Sequence, residues 1–364
     1  MKKIFSSLFA AAALLMSSCS EKFEVAAPYK DITLVYGFLD MGDTAHYIRI
    51  QKAFLDENKS AVSMAQSADS NFFNDINVRI ERYRAFGTNT YVDSIHLNRV
   101  DMTQEGYPKE AGTFFTAPNY AYKFTDALNP QYIYRLKVVH KSTGAIDSAD
   151  APVIDLAVTA FKVPIIDDNM TNLAGMRFTS VLPSRHFDFG GIYVPTPGYN
   201  FKGESNPVRV AQAFIRFNWD DSDINTKLRT PHSYDMDAGL IAVNQSNNAF
   251  EYEISNNSLY AAISLGMGTA PANIVRLINR CDISVYLSTS DYADYRNALL
   301  IQGNGLTGSE ISPVYTNIKG NNVLGLFTSR GKHSGPVTIV GQTVDSLVAS
   351  QMLKHTNLKG TAYK

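Results

Sequence analysis

Three groups of side chains have types and spacings that invite chemistry. Asp221-Ser222-Asp223-Ile224-Asn225 matches the first three oxygen positions of a calcium loop, where hard donors on alternate residues converge on a hard cation. The match then breaks, because Thr226 stands at the turn glycine and His232 at the bidentate glutamate. A solvated acidic turn is therefore the favoured reading, and a metal site at Asp221, Asp223 and Asn225 the alternative. The stretch from Gly190 to Asn206 is rich in glycine and proline and carries Tyr193, Tyr199 and Phe201. It reads as a loop whose aromatic faces could stack on a sugar or peptide ligand. Rings folded back onto their own domain are the competing reading. Cys281 alternates with Ile283, Val285 and Leu287, which places a small apolar thiol on the inner face of a strand.

Other chemistries find no foothold. The histidines, His46, His96, His140, His186, His232, His333 and His355, include no pair at helical zinc-binding spacing. No Gly-x-Ser-x-Gly elbow and no phosphate-cradling Gly-Lys-Ser/Thr loop occurs. Carboxylate pairs for glycoside hydrolysis are defined by separation in space, so a glycan or peptide hydrolase stays as the third functional reading. The chain is expected to be non-enzymatic and to need no cofactor. Its net charge of −1 offers no electrostatic reason to expect nucleic acid.

The amino end carries an address. Met1-Lys2-Lys3 is positive, Ile4 to Met16 is apolar or small, and Ser17-Ser18-Cys19 follows. A charged start, a short greasy middle and small residues at a cut site make a secretory signal. The run is shorter than the roughly 20 apolar residues of a spanning helix. A cysteine just after small residues resembles the lipobox of bacterial lipoproteins. The resemblance implies a signal peptide over 1–18, acyl chains on Cys19 and a lipidated tether over 19–27. Several acyl chains anchor firmly where one binds only marginally. No aspartate follows Cys19, and Ser20-Glu21-Lys22-Phe23-Glu24 loosely resembles the surface-export signal of Bacteroides-type lipoproteins. The expected place is the outer membrane, on its periplasmic or cell-surface face. With Cys19 acylated, Cys281 has no disulfide partner, since the chain holds only two cysteines.

Composition and patterning say β. Charged residues are 18% of the chain, below the usual quarter, and Tyr and Phe number 20 each. Aromatics at that density suit cross-strand packing. Ile32 to Leu39 is apolar on both faces, as in a strand buried on both sides. The turn Asp40-Met41-Gly42-Asp43 joins it to Ile48 and Ile50 in a hairpin. Asp56 to Phe73 reads as a long loop or short helix. Ile76 to Glu81 alternates and pairs with Tyr91 to Ile95 across Gly87. Leu128-Asn129-Pro130, then Tyr132, Tyr134, Leu136 and Val138 on one face, resembles the late strands of fibronectin-III-like sandwiches. That resemblance makes Tyr134 the corner tyrosine, hydrogen-bonded back to the preceding loop. The expected fold is therefore mainly β, with an immunoglobulin-like sandwich over 28–155.

A second β-rich domain with one or two short helices is expected over 156–330, and a tail over 331–364. Its elements are strands at Met176 to Thr179, Val208 to Trp219, Phe250 to Ile254 and Ile274 to Leu287. A helix capped by Asn257-Ser258 runs to Leu265, and another spans Asp291 to Gln302 behind Ser290. No internal repeat is present.

Asp291-Tyr292-Ala293-Asp294-Tyr295-Arg296, Tyr315-Thr316-Asn317-Ile318, Gly325-Leu326-Phe327 and the early Tyr36-Gly37 together resemble an uncharacterised lipoprotein family of Bacteroides-type bacteria. Its members carry a domain of unknown function and are often encoded beside TonB-dependent outer-membrane receptors. The resemblance implies an accessory component that binds a nutrient or such a receptor. A structural or adhesive surface protein is the alternative. The family offers no catalytic residues to carry over.

Overall fold

The apolar stretch from Ile32 and the alternating one around Ile48 and Ile50 form a hairpin, β1 (Ile32–Asp40) and β2 (Ala45–Ala53). The turn is held by Asp40, whose carboxylate accepts the Gly42 N–H at 3.0 Å. The computed structural model describes residues 32–53, 60–87, 89–113, 115–155, 158–161, 186–303, 315–339 and 341–360. The signal peptide, Cys19, the tether and the strand expected at Met176 to Thr179 lie outside the described residues.

Two short helices, α1 (Ala61–Ala65) and α2 (Ala68–Asn71), lead to the hairpin of β3 (Ile76–Arg84) and β4 (Tyr91–His96). The strands β5 (Asn98–Asp101), β6 (Tyr120–Thr125), β7 (Tyr132–His140) and β8 (Ile146–Pro152) follow. One sheet runs β4-β3-β7-β8, and β1-β2-β6-β5 packs against it. That is the strand order of an immunoglobulin-like sandwich. Val35, Ile48, Ile80, Leu136 and Val138 meet in its core. Tyr134 is fully buried, and its hydroxyl oxygen accepts the Asn129 N–H at 3.0 Å, the corner expected from Leu128-Asn129-Pro130. The outer face of β1 is less covered than its apolar sequence suggests, for Tyr36 remains exposed.

The second half has a short sheet, β13-β10-β9, made of β9 (Val158–Phe161), β10 (His186–Tyr193) and β13 (Ala249–Ser255). Long antiparallel strands β11 (Val210–Asp223), β12 (Arg229–Ala242) and β14 (Ile274–Ser288) form the other layer. Helix α3 (Asn256–Met267) buries Leu259 and Ile263 in the core between them. Its cap is Ser255 rather than Asn257-Ser258: the Ser255 hydroxyl accepts the Ser258 N–H at 3.1 Å. Helix α4 (Ser290–Gly303) takes Ser290 as its first residue rather than its cap, and the Thr289 carbonyl accepts the Ala293 N–H at 3.3 Å. Cys281, Ile283, Val285 and Leu287 are all fully buried on the inner face of β14.

The two halves are joined by β15 (Val323–Thr338). Its first half pairs in parallel with β1, from Thr33 opposite Val323 to Asp40 opposite Arg330. Its second half pairs antiparallel with β14, from Ser288 opposite Arg330 to Arg280 opposite Thr338. One eight-stranded sheet results, ordered β12-β11-β14-β15-β1-β2-β6-β5.

The expected boundary between 330 and 331 thus falls inside a strand. Ile318, Val323 and Phe327 belong to the first core. From the expected tail, Val337 and Ile339 join the second core, as do Val344 and Leu347 of α5 (Gly341–Ala349) and Leu353 of the 3₁₀ turn Gln351–Thr356. The reason is legible in hindsight: core-facing Gly331 and Gly335 are buried but have no side chain, so the strand shows no apolar alternation there.

Glycine also sets the β1–β15 contact. Gly325 has φ +128°, and a Cβ there would lie 1.9 Å from the Val35 carbonyl oxygen. A Cβ on Gly37 would meet the Phe327 ring at 3.0 Å. The chain ends that resembled one family's motifs are therefore neighbours in one parallel pair.

Candidate functional site

Because side chains alternate along a strand, the buried row of β14 turns Asp282, Ser284, Tyr286 and Ser288 to the opposite face of the large sheet. On β11, buried Ala211, Ala213 and Ile215 likewise leave Gln212, Phe214 and Arg216 outward. On β15 the outward residues are Arg330, Lys332 and Ser334. Helix α4 lies over this face and lowers Tyr292, Tyr295 and Arg296 towards it. Between helix and sheet is a cleft of about 770 Å³.

The helix is tied down by a polar circuit. The Tyr292 hydroxyl donates to Gln212 Oε1 at 2.7 Å, and Gln212 Nε2 donates to Asp237 Oδ2 at 2.9 Å. Asp237 also pairs with Arg296 at 3.6 Å. At the helix start, Asp291 accepts from the Tyr315 hydroxyl at 2.7 Å and from Asn317 Nδ2 at 3.0 Å. Asn317 then brackets Phe327, donating to its carbonyl at 2.8 Å and accepting its N–H at 3.0 Å. The amide side chain extends the ladder as a strand backbone would. The motifs behind the family resemblance thus converge on one structural knot beside the cleft.

The cleft walls carry matched acids and less matched bases. Arg216 grips Asp235 through two bonds of 2.6 and 2.7 Å, and this holds the Asp235 carboxyl below its ordinary range. Asp282 accepts from Asn218 at 2.8 Å and from Arg280 at 3.3 Å. The Arg330 guanidinium stands 5.6 Å from the Phe38 ring and 5.2 Å from Tyr286, and its Nε donates to Asp40 at 3.3 Å. Lys332 Nζ lies 5.5 Å from the same Tyr286 ring. Among the described residues Lys332 meets no carboxylate within ion-pair distance. Phe214 and Tyr286 meet edge to face at 5.8 Å, as do Phe38 and Tyr292 at 5.9 Å. Burial between helix and sheet pushes the Tyr292 hydroxyl above its usual value. The arrangement offers ring faces, hydroxyls and cations: the means to hold a ligand.

The aromatic stretch expected to bind ligand does something else. Gly190 to Tyr193 is the end of strand β10, and Tyr193 is 1% exposed within the second core. Tyr199 is 4% exposed and packs with Ala85 and Ile133, its ring edge-on to Phe86 at 6.3 Å. Phe201 is half-buried against the same cluster. Burial raises the Tyr193 and Tyr199 hydroxyls far above the ordinary phenol range. Tyr199 and Phe201 pack on Ala85 and Ile133 at the seam between the halves, and Tyr193 lies inside the second core, because large apolar ring faces gain more from burial than from water.

The acidic turn is likewise consumed internally. Asp223 Oδ1 accepts the Asn225 and Thr226 N–H groups, each at 2.8 Å, and Oδ2 accepts from Asn273 at 2.7 Å. The Thr226 N–H, foremost among these, lowers the Asp223 carboxyl. Asp221 accepts from Arg276 Nε at 3.0 Å and Trp219 Nε1 at 2.9 Å. A guanidinium already supplies the positive charge that a cation at Asp221, Asp223 and Asn225 would bring. Among the described residues no three His, Cys, Asp or Glu side chains cluster as metal ligands. The Cys281 thiol is pushed up by burial.

Sequence reading missed Tyr286, Arg330 and Lys332. The signal was faint: polar residues alternating with a buried row, on strands brought together only by the sheet. No protein-family model matches the chain, and no curated protein is significantly similar to it.

Proposed function

We propose that this protein is a non-enzymatic lipoprotein of the outer membrane, held by acyl chains on Cys19, and an accessory binding component for a nutrient or a TonB-dependent receptor. The cleft between α4 and the large sheet is its binding site. One observation carries the reading: ring faces, hydroxyls and cationic side chains share a cleft of small-molecule size. The charged start, short apolar run and Ser17-Ser18-Cys19 support the anchor. A cleft built on paired strands keeps its groups in place without the cost of ordering a loop.

The test has two arms. Cells labelled with palmitate should acylate the wild-type protein and not Cys19→Ala. Tagged protein in solubilised membranes should enrich one envelope partner or nutrient, and Tyr295→Ala with Lys332→Ala should lose it. Label retained by Cys19→Ala removes the anchor, and undiminished capture by the cleft variant removes the site.

A further inference from the structure

Resting on the reading of the cleft as a binding site, we infer that its ligand is a short extended peptide. The peptide adds as a further strand to the open edge of β15 at Lys332, Ser334 and Pro336.

The backbone comes first. Strand β15 pairs with β1 only as far as Arg330, opposite Asp40, where the chain turns away towards β2. From Gly331 onwards β15 pairs with β14 on one side. Alternation fixes which residues face the side that β1 has left. The Thr33 N–H donates to the Asn322 carbonyl at 2.8 Å, so even-numbered residues here turn their backbone towards β1. The other side agrees. The Arg209 N–H donates to the Ser288 carbonyl at 2.9 Å, so Ser288 faces β11, while Leu287, Val285 and Ile283 face Gly331, His333 and Gly335. Lys332, Ser334 and Pro336 therefore point their backbone away from β14. Pro336 has no N–H, and proline sits in a sheet where its nitrogen meets no neighbour. Among the described residues, the N–H groups of Lys332 and Ser334 and the carbonyls of Lys332, Ser334 and Pro336 have no backbone partner.

The surroundings then decide what fills the edge. An unpaired strand edge accepts another strand, and main-chain hydrogen bonds give an added peptide most of its affinity. Lys332, Ser334 and Pro336 are exposed, so the edge is open to entry. Helix α4 overhangs it: Tyr295 and Leu299 of the helix and Lys332, Ser334 and Pro336 of the strand line one cleft of about 770 Å³. A folded partner, or a second copy of this chain, would bring a whole sheet layer beneath that helix. A free extended chain brings one strand. Lys332 to Pro336 covers about 17 Å of strand, which matches a peptide of about five residues. Bonds to the main chain read no sequence, so one such edge holds many peptides, as suits capture of a nutrient.

The full-length protein in detergent would select binders from a random hexapeptide library. The best binder would then be resynthesised with methyl groups on the backbone nitrogens of alternate residues, which blocks one edge of a strand. Methylation of one alternate set should weaken binding by at least about tenfold, and methylation of the other set should leave it nearly unchanged. Ser334→Pro removes an outward N–H and no bond to β14. It should weaken binding by at least about tenfold at the wild-type melting temperature. Should that variant not fold, amide exchange in the wild-type protein gives the answer. Peptide should slow exchange at Lys332 and Ser334 by at least about tenfold, and should leave His333 and Gly335, which face β14, as they were. The inference is overturned if no hexapeptide is selected, if the two methylated sets bind alike, if folded Ser334→Pro binds like wild type, or if exchange at Lys332 and Ser334 does not change. Cleft-dependent capture of a nutrient that is no peptide, or of a receptor that hexapeptides do not displace, would sink this inference alone. Peptide binding by a chain never acylated at Cys19 would sink the anchor alone.

Discussion

At the scale of the residue, charge matching explains what the acidic side chains do. Asp235 is the clearest case, for its carboxyl is depressed chiefly by the Arg216 hydrogen bonds. A depressed carboxylate adds stability above its unfolded value, about 3.9, and that contribution fades as pH falls through the folded value. Because both partners are half-exposed, water and salt screen the pair, and its worth is below about 1 kcal/mol. Asp235→Asn should therefore lower stability slightly at neutral pH. The two unfolding curves should converge towards pH 3 and below. Chemical denaturation across pH checks this, and a constant gap at all pH values would contradict it. Asp223 is lowered in the same direction, by the turn N–H groups of Thr226 and Asn225, while Asp221 is matched by the Arg276 guanidinium.

At the scale of the element, helix α4 and strand β15 are coupled through Asn317. Its amide satisfies both backbone groups of Phe327 and reaches Asp291 at the helix start. Asn317→Ala would leave the Phe327 N–H and C=O without those partners, at a cost on the order of 2 kcal/mol. Thermal unfolding should show a lower midpoint, and hydrogen exchange should show faster opening at Phe327 than at Tyr134. Equal protection at Phe327 in variant and wild type would mean that the knot is ornamental. The stretches Tyr315 to Ile318 and Gly325 to Phe327 stood out in the sequence as short motifs with no chemistry attached. The structure supplies their purpose: an amide that poses as a strand, and a glycine that admits the Val35 carbonyl.

At the scale of the molecule, β15 makes two expected domains one sheet. Strand β1 has β15 and β2 as its neighbours, so the amino-terminal sandwich is closed by the far end of the chain. The buried Tyr199 ring adds a contact between the halves, against Ala85 and Ile133. Unfolding either half would expose apolar surface of the other, which binds the two into one cooperative unit. Calorimetry should therefore give a single transition with matching calorimetric and van't Hoff enthalpies. A chain ending at residue 314 should lose the amino-terminal sandwich as well as the carboxy-terminal half. Two separated transitions, or a folded truncated chain, would show that the halves stand alone.

The mainly β character, the hairpins at β1–β2 and β3–β4, the inward row at Cys281 and the corner at Tyr134 were readable from the chain by itself. The first three rest on neighbours within a few residues, through alternation and turn chemistry, and the corner on the resemblance of Leu128 to Val138 to a late fibronectin-III-like strand. The cleft, the buried fate of Tyr193 and Tyr199 and the pairing of Val35 with Gly325 belong to the tertiary structure. They depend on contacts between residues tens to hundreds of positions apart, and no local period encodes which strand will lie beside which.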